Sequence, residues 1–163
     1  MIGTRLLRLV EKHSHELAVG LTAELLKGER TSDFRKIPRE ELQRTTAEVY
    51  SNLGEWLLTK TEKDIEQRFR AIAARRASDG VAIHQFVWAM TISRNYLWNF
   101  LREEAFADTV LELYDELELQ RLLNHFFDRA LYYGVLGYND ARGKEPASLD
   151  FSGLRRWVDP LSA

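Results

Sequence analysis

The four histidines, at positions 13, 15, 84 and 125, are the side chains of this sequence best suited to hold a metal or move a proton near neutral pH. Their spacing gives them no common site. His13 and His15 stand two apart and fall on different sides of a helix. No His-Glu-x-x-His motif occurs, and no Glu-x-x-His pair repeats on two helices as a di-iron bundle requires. A single histidine suffices as an axial haem ligand; His13, on an apolar face, and His84, at the start of an aromatic stripe, are the two that qualify. A lone histidine in such a place is more often a core or boundary residue with one hydrogen-bond partner, so neither a metal nor another cofactor is expected. The absence of cysteine removes disulfides, thiolate metal sites and thiol nucleophiles together. No serine stands in a Gly-x-Ser-x-Gly elbow and no glycine-rich loop is placed to cradle phosphate. Paired acids such as Glu103 with Glu104, or Glu116 with Glu118, read as solvated helix faces. The chain is not expected to be an enzyme.

Arg94 is the residue whose position asks for a partner. It interrupts an apolar seam formed by Ile83, Val87, Met90, Leu97 and Leu101, where a guanidinium must be paired or reach water. The plainer reading is an ion pair with Asp128 or Glu55. The sharper one is an anion-reading group in an internal pocket, with His84, Trp88, Trp98, Tyr132 and Tyr133 as the other candidate ligand-binding side chains. His84, Trp88, Thr91, Asn95 and Trp98 form a second, mixed aromatic and polar stripe beside the seam.

The elements that must position these residues are all helices. Prolines occur only at 38, 146 and 160, and the intervals between them repeat Leu, Ala, Glu, Arg and Lys with helical spacing. The first helix is predicted over 4–27, with Leu6, Val10, His13, Leu17, Leu21 and Leu25 on one face and Gly28 as its cap. A polar loop follows over 28–37. The second helix opens at Pro38 and carries Leu42, Val49, Leu53, Trp56 and Leu57 to about Lys60. Thr61 and Asp64 read as a capping box for the third helix, which buries Ile65, Phe69, Ile72 and Ala73 and stops at Asp79-Gly80. The short gap that follows makes the third helix and the fourth, over 82–104, antiparallel neighbours. The fifth and longest runs over 108–140 from an Asp108 cap. Its Ala130, Gly134 and Gly137 share a face and permit close packing of another helix; glycine inside a helix costs about 1 kcal/mol relative to alanine, a cost that close packing, a bend or a bound ligand offsets.

The fold class is therefore all-α, with five main helices in a globin-like or antiparallel bundle, a long C-terminal helix and a short apolar tail. Residues 1–143 are read as one sensor-like domain. Residues 144–163 are read as a tail that packs back on the domain or on a partner, with Phe151, Leu154 and Trp157 as candidate partner-binding side chains. The 163 residues suffice for one core, and the 23 basic against 25 acidic residues leave a net charge of -2, which recruits no polyanion. Nucleic acid is not an expected partner. No stretch approaches the roughly 20 apolar residues that cross a bilayer, and the amino terminus has no uninterrupted apolar run of a signal peptide, so a soluble cytoplasmic protein is expected.

Two stretches carry a family resemblance. Residues 75–90, which include Arg75, Arg76, Gly80 and Trp88, lead through 96–101 (Tyr96, Trp98 and Phe100 among them). They resemble the arginine, glycine turn and amphipathic helix in the N-terminal sensor domain of stressosome co-antagonist proteins of the RsbRD type. Residues 126–133 with Gly137 and Tyr138 resemble the last helix in a subset of those domains. The resemblance spans about residues 4–140, and its motifs are patterns of helix packing. It implies a non-haem, globin-like or bundle-like sensor that commonly dimerises and works through a signalling protein partner. In the family such a domain usually precedes an output domain, whereas about 20 residues follow the fifth helix here, so a stand-alone adaptor or a piece of a longer architecture is implied. A regulatory interaction module that forms a homodimer is the favoured function; a small-molecule sensor with a pocket between the fourth and fifth helices is the alternative, and a haem sensor the third.

Overall fold

In a computed structural model of the chain, residues 2–104 and 109–143 are described, and every regular element among them is helical. Two of the five expected helices are divided further. The first is two, α1 (Ile2–Lys12) and α2 (Ser14–Lys27), separated by a kink at His13 with φ -99 and ψ 16. The backbone ladder continues through the kink: the His13 amide donates to Leu9 O and Leu17 donates to His13 O. Neither proline nor glycine causes it. The His13 ring lies 6.2 Å from Phe100, a contact made only in the folded chain, and bonds Glu16 one turn on at 3.3 Å. Leu6 and Val10 of α1 and Leu17, Leu21 and Leu25 of α2 are buried as one stripe.

The expected polar loop is a 3-10 segment, Glu29–Lys36, tied down from both sides. Thr31 Oγ1 donates to Leu25 O at 2.6 Å, Asp33 accepts from the Ala82 amide at 3.0 Å, the Asp33 amide donates to Gln85, and Lys36 Nζ donates to Gly80 O. These bonds fasten it to the turn between the next two long helices. The expected second helix is likewise two, α3 (Arg39–Ser51) and α4 (Leu53–Leu58), broken at Asn52. Asn52 turns its side-chain amide back onto Glu48 O, an alternative to the ladder that asparagine offers readily. Glu11 of α1 accepts from the Gly54 amide at 2.8 Å and fixes α4 against α1.

The capping box at the start of α5 (Glu62–Ser78) is formed by Thr61 and Asp64, and Gly80 with φ +81 turns the chain after its end. Then come α6 (Ile83–Glu104) and α7 (Val110–Ala141). The cap of α7 is Thr109, in a capping box with Glu112; the expected cap, Asp108, lies outside the described residues.

The packing order differs from that expected of a simple up-and-down series. The chief partner of α5 is α7, and α6 touches α5 only lightly. Glu62 at the start of α5 meets Arg129 and Tyr133, and Arg70 two turns later meets Asp140, so α5 and α7 run in the same direction. Along α6 and α7 the pairs Arg94–Asp128 and Trp98–Asn124 give the opposite sense. The small residues of α7 explain the preference for α5. A Cβ on Gly137 would lie 2.5 Å from the Arg70 backbone, and one on Gly134 would lie 2.8 Å from the Phe86 ring. A helix with no side chain at that point admits a neighbour's backbone, and α5 takes the place. Phe69, Trp56, Phe126 and Phe127 fill the space beside the crossing with ring centroids 5.3 to 6.0 Å apart.

Candidate functional site

The six aromatic and charged candidates of α6 and α7 do not line one pocket. His84 is exposed. Trp88 is partly exposed beneath Arg30, whose guanidinium carbon stands 4.9 Å from the ring centroid. Arg94 is half-buried and stands 3.9 Å from Asp128, a long and solvated pair. Trp98 donates its indole N–H to Asn124 at 3.3 Å. Tyr133 donates to Glu62 at 2.7 Å, and Tyr132, on the next position, is 61% exposed. Arg94 is thus at the flank of the seam. The buried positions of α6 are Phe86, Ala89, Leu97 and Leu101, so the first half of the helix is rotated about one residue from the predicted face. Ala130, Gly134 and Gly137 are all buried at the helix crossings.

The arginine that is buried is Arg76, near the end of α5 and 4% exposed. Its Nη1 donates to Glu41 at 3.2 Å and to Asp79 at 3.1 Å, and Arg75 adds a second bond to Glu41. Burial pushes the Glu41 carboxyl up, but the bonds and charges of the two arginines together hold it below the usual carboxylate range. A cavity of about 80 Å³ lies alongside, walled by Leu21, Leu42, Tyr50, Phe86, Ala89 and Phe127 with Arg76 at one end. None of the six candidates lines it. Tyr50 is buried there, its phenol pushed up by desolvation and donating to Ser93 O at 3.1 Å. The signal in the sequence was the doubled Arg75-Arg76 with Asp79 one turn on, an i, i+3 pairing at a helix end.

A more conspicuous feature is the first two turns of α7. Val110, Leu111, Leu113, Tyr114 and Leu117 are 50–82% exposed. Helical spacing puts Val110, Leu113, Tyr114 and Leu117 on one side, so they form a continuous apolar stripe, whereas scattered exposed apolar residues would need no explanation. Along one edge, Leu113 and Leu117 pass into a groove of about 400 Å³ between α1, α6 and α7, whose floor includes Leu6, Trp98, Leu101 and Leu119. Glu116 lines the groove with one carboxylate oxygen, Oε1, buried and without a hydrogen-bond partner. This stripe is legible in the sequence as apolar residues at i, i+3, i+4 and i+7 from Val110. Spacing alone does not separate it from the core face of the same helix, where Leu119, Leu123, Phe126 and Phe127 repeat in a similar way.

Among the described residues no three His, Asp or Glu side chains converge as metal ligands, and no helix is long and apolar enough to cross a membrane. No curated protein and no solved structure matches the chain. A family does: residues 15–147 match the RsbT co-antagonist protein RsbRD N-terminal domain, from the first turn of α2 to just past the end of α7. With that match over most of its length, the chain belongs to the family of RsbRD N-terminal domains.

Proposed function

We propose that this is a non-catalytic, cytoplasmic regulatory domain of bacterial stress signalling, which acts by protein–protein contact and forms a homodimer through the exposed stripe of α7. The observation that carries the reading is the stripe itself. Five large apolar side chains within eight residues, each at least half exposed, lose hydration cost only when something covers them. A two-fold axis through such a patch places like on like, which apolar groups tolerate and charges do not. The family's name, that of a co-antagonist of RsbT, supports a signalling partner as the further contact. The globin-like arrangement belongs to the same reading, supported by the close crossing of α5 and α7 and the kinked entry through α1 and α2.

The experiment is the solution mass of the full chain beside the Leu111→Asp/Tyr114→Asp variant. A dimer that becomes a folded monomer, with unchanged helical content and a thermal unfolding that no longer depends on concentration, supports the reading; a monomeric wild-type chain removes it.

The small-molecule alternative retains one specific observation, the cavity beside Arg76. Its neutral balance of Arg75 and Arg76 with Glu41 and Asp79 suits a small uncharged molecule better than an anion, and it lies chiefly among α2, α3, α5 and α6. A saturable thermal shift with small neutral metabolites, absent in an Ala89→Leu variant, is the outcome this second reading requires.

A further inference from the structure

The cavity of about 80 Å³ beside the end of α5 is apolar along its walls and polar at one end, which Arg76 forms. The Nη1 group of this 4% exposed arginine commits its protons to Glu41 and Asp79, neither of which lines the cavity. Its Nη2 group carries two more N–H donors. The one acceptor they meet among the described residues is Thr45 Oγ1, at 3.5 Å, the limit of a hydrogen bond. Thr45 does line the cavity, so the under-used edge of the guanidinium is the edge turned toward it. The other hydroxyls of the wall are occupied elsewhere. Thr45 donates to Glu41 O, Tyr50 to Ser93 O and Ser93 to Ala89 O, and Thr46 alone keeps a free hydroxyl. A buried donor left without an acceptor is costly, and a ligand oxygen at this edge would relieve that cost.

We propose that the cavity is a site for a short neutral carbonyl compound, a ketone or ester, whose oxygen accepts from Arg76 Nη2 and whose alkyl groups lie against Leu42, Phe86 and Phe127. This rests on the small-molecule reading of the cavity and gives it a ligand class. Size follows from volume. An engineered apolar cavity of about 150 Å³ holds benzene, so one about half as large suits about four or five heavy atoms. Polarity selects the rest. Arg76 offers donors and no acceptor, which the lone pairs of a carbonyl oxygen complement. A carboxylate would add negative charge beside Glu41 and Asp79, which Arg75 and Arg76 already balance. A primary amide would carry two N–H protons into a largely apolar wall, where each needs an acceptor.

The test compares molecules of one shape: butanone, the alkene in which a methylene replaces its oxygen, propionate and propionamide. Each is titrated into the full chain and followed by the methyl resonances of Leu21 and Leu42 on the cavity wall. Butanone is expected to saturate these shifts at least about tenfold more tightly than the other three, the size of one hydrogen bond from a charged donor. Arg76→Lys keeps a positive charge between Glu41 and Asp79 and removes the fork that reaches the cavity. It should bring butanone down to the level of the alkene and leave the alkene unchanged. Ala89→Leu, which fills the space, should abolish both. Should Arg76→Lys fail to fold, the comparison within the wild-type chain decides alone. Equal binding of butanone and the alkene overturns the inference and leaves the cavity reading standing, as does tightest binding by propionate or propionamide. A preference for butanone that survives Arg76→Lys also overturns it, by taking Arg76 out of the site. If none of the four molecules gives a saturable shift, the inference and the cavity reading fall together.

Discussion

The two arginines of interest separate by their surroundings. Arg76 is enclosed and holds two carboxylates that are themselves mostly shielded; Arg94 reaches Asp128 across 3.9 Å at a solvated edge. Removing one member of a buried ion pair leaves charge uncompensated, whereas exposed pairs contribute little. Arg76→Met is therefore expected to cost about 2–4 kcal/mol in urea unfolding, below the fully buried case because Glu41 and Asp79 keep some water. Arg94→Met is expected to change stability by less than about 0.5 kcal/mol. The depressed Glu41 carboxyl sets a pH dependence. Its contribution is complete above the ordinary glutamate range and is lost as pH falls through the lower folded value. Thermal unfolding followed downward from neutral pH should show this acid limb, and Glu41→Gln should flatten it; an unchanged limb would remove Glu41 from the account. The sequence pointed to Arg94 because a seam drawn one residue off face made an edge residue look internal. Arg76 escaped notice because arginine in the last turn of a helix ordinarily faces water and the C-terminal dipole.

At the scale of elements, the long helices were legible and their interruptions were not. Apolar spacing located the buried faces of α2 and α5, the small residues Ala130, Gly134 and Gly137 marked a buried face of α7, and Thr61 with Asp64 marked the start of α5. The breaks at His13 and Asn52 rest on Phe100, Glu16 and Glu48. Two of these partners are local and one is distant, and none carries the proline or glycine mark that signals a kink. The pairing of α5 with α7 was half visible: the small face of Ala130, Gly134 and Gly137 asked for a close neighbour without saying which. Gly137→Ala tests that crossing. With Arg70 backbone atoms 2.5 Å from the new methyl, the helices must separate, at about 3 kcal/mol. Gly143 has nothing within 4 Å of its Cβ position but a φ of +64, so Gly143→Ala carries only backbone strain, about 1 kcal/mol. Equal costs in chemical denaturation would contradict the assignment of close packing to Gly137.

For the whole molecule, the all-helical class and the family follow from the same pattern of helices, and the matched span of residues 15–147 takes in the 3-10 strap and the α5–α7 crossing. The interaction surface was the least legible part, because an exposed apolar stripe and a buried one are written alike until the neighbours are known. Leu111 and Tyr114 are 79% and 72% exposed, so replacing both with aspartate should leave the protomer folded and lower apparent stability chiefly by the association it removes. Sedimentation equilibrium of the full chain and of Leu111→Asp/Tyr114→Asp is the measurement that bears most directly on a domain acting through this face. The account predicts a dimeric wild-type chain and a folded monomeric variant. A wild-type chain that stays monomeric at high concentration, or a variant that remains as dimeric as the wild type, would contradict it.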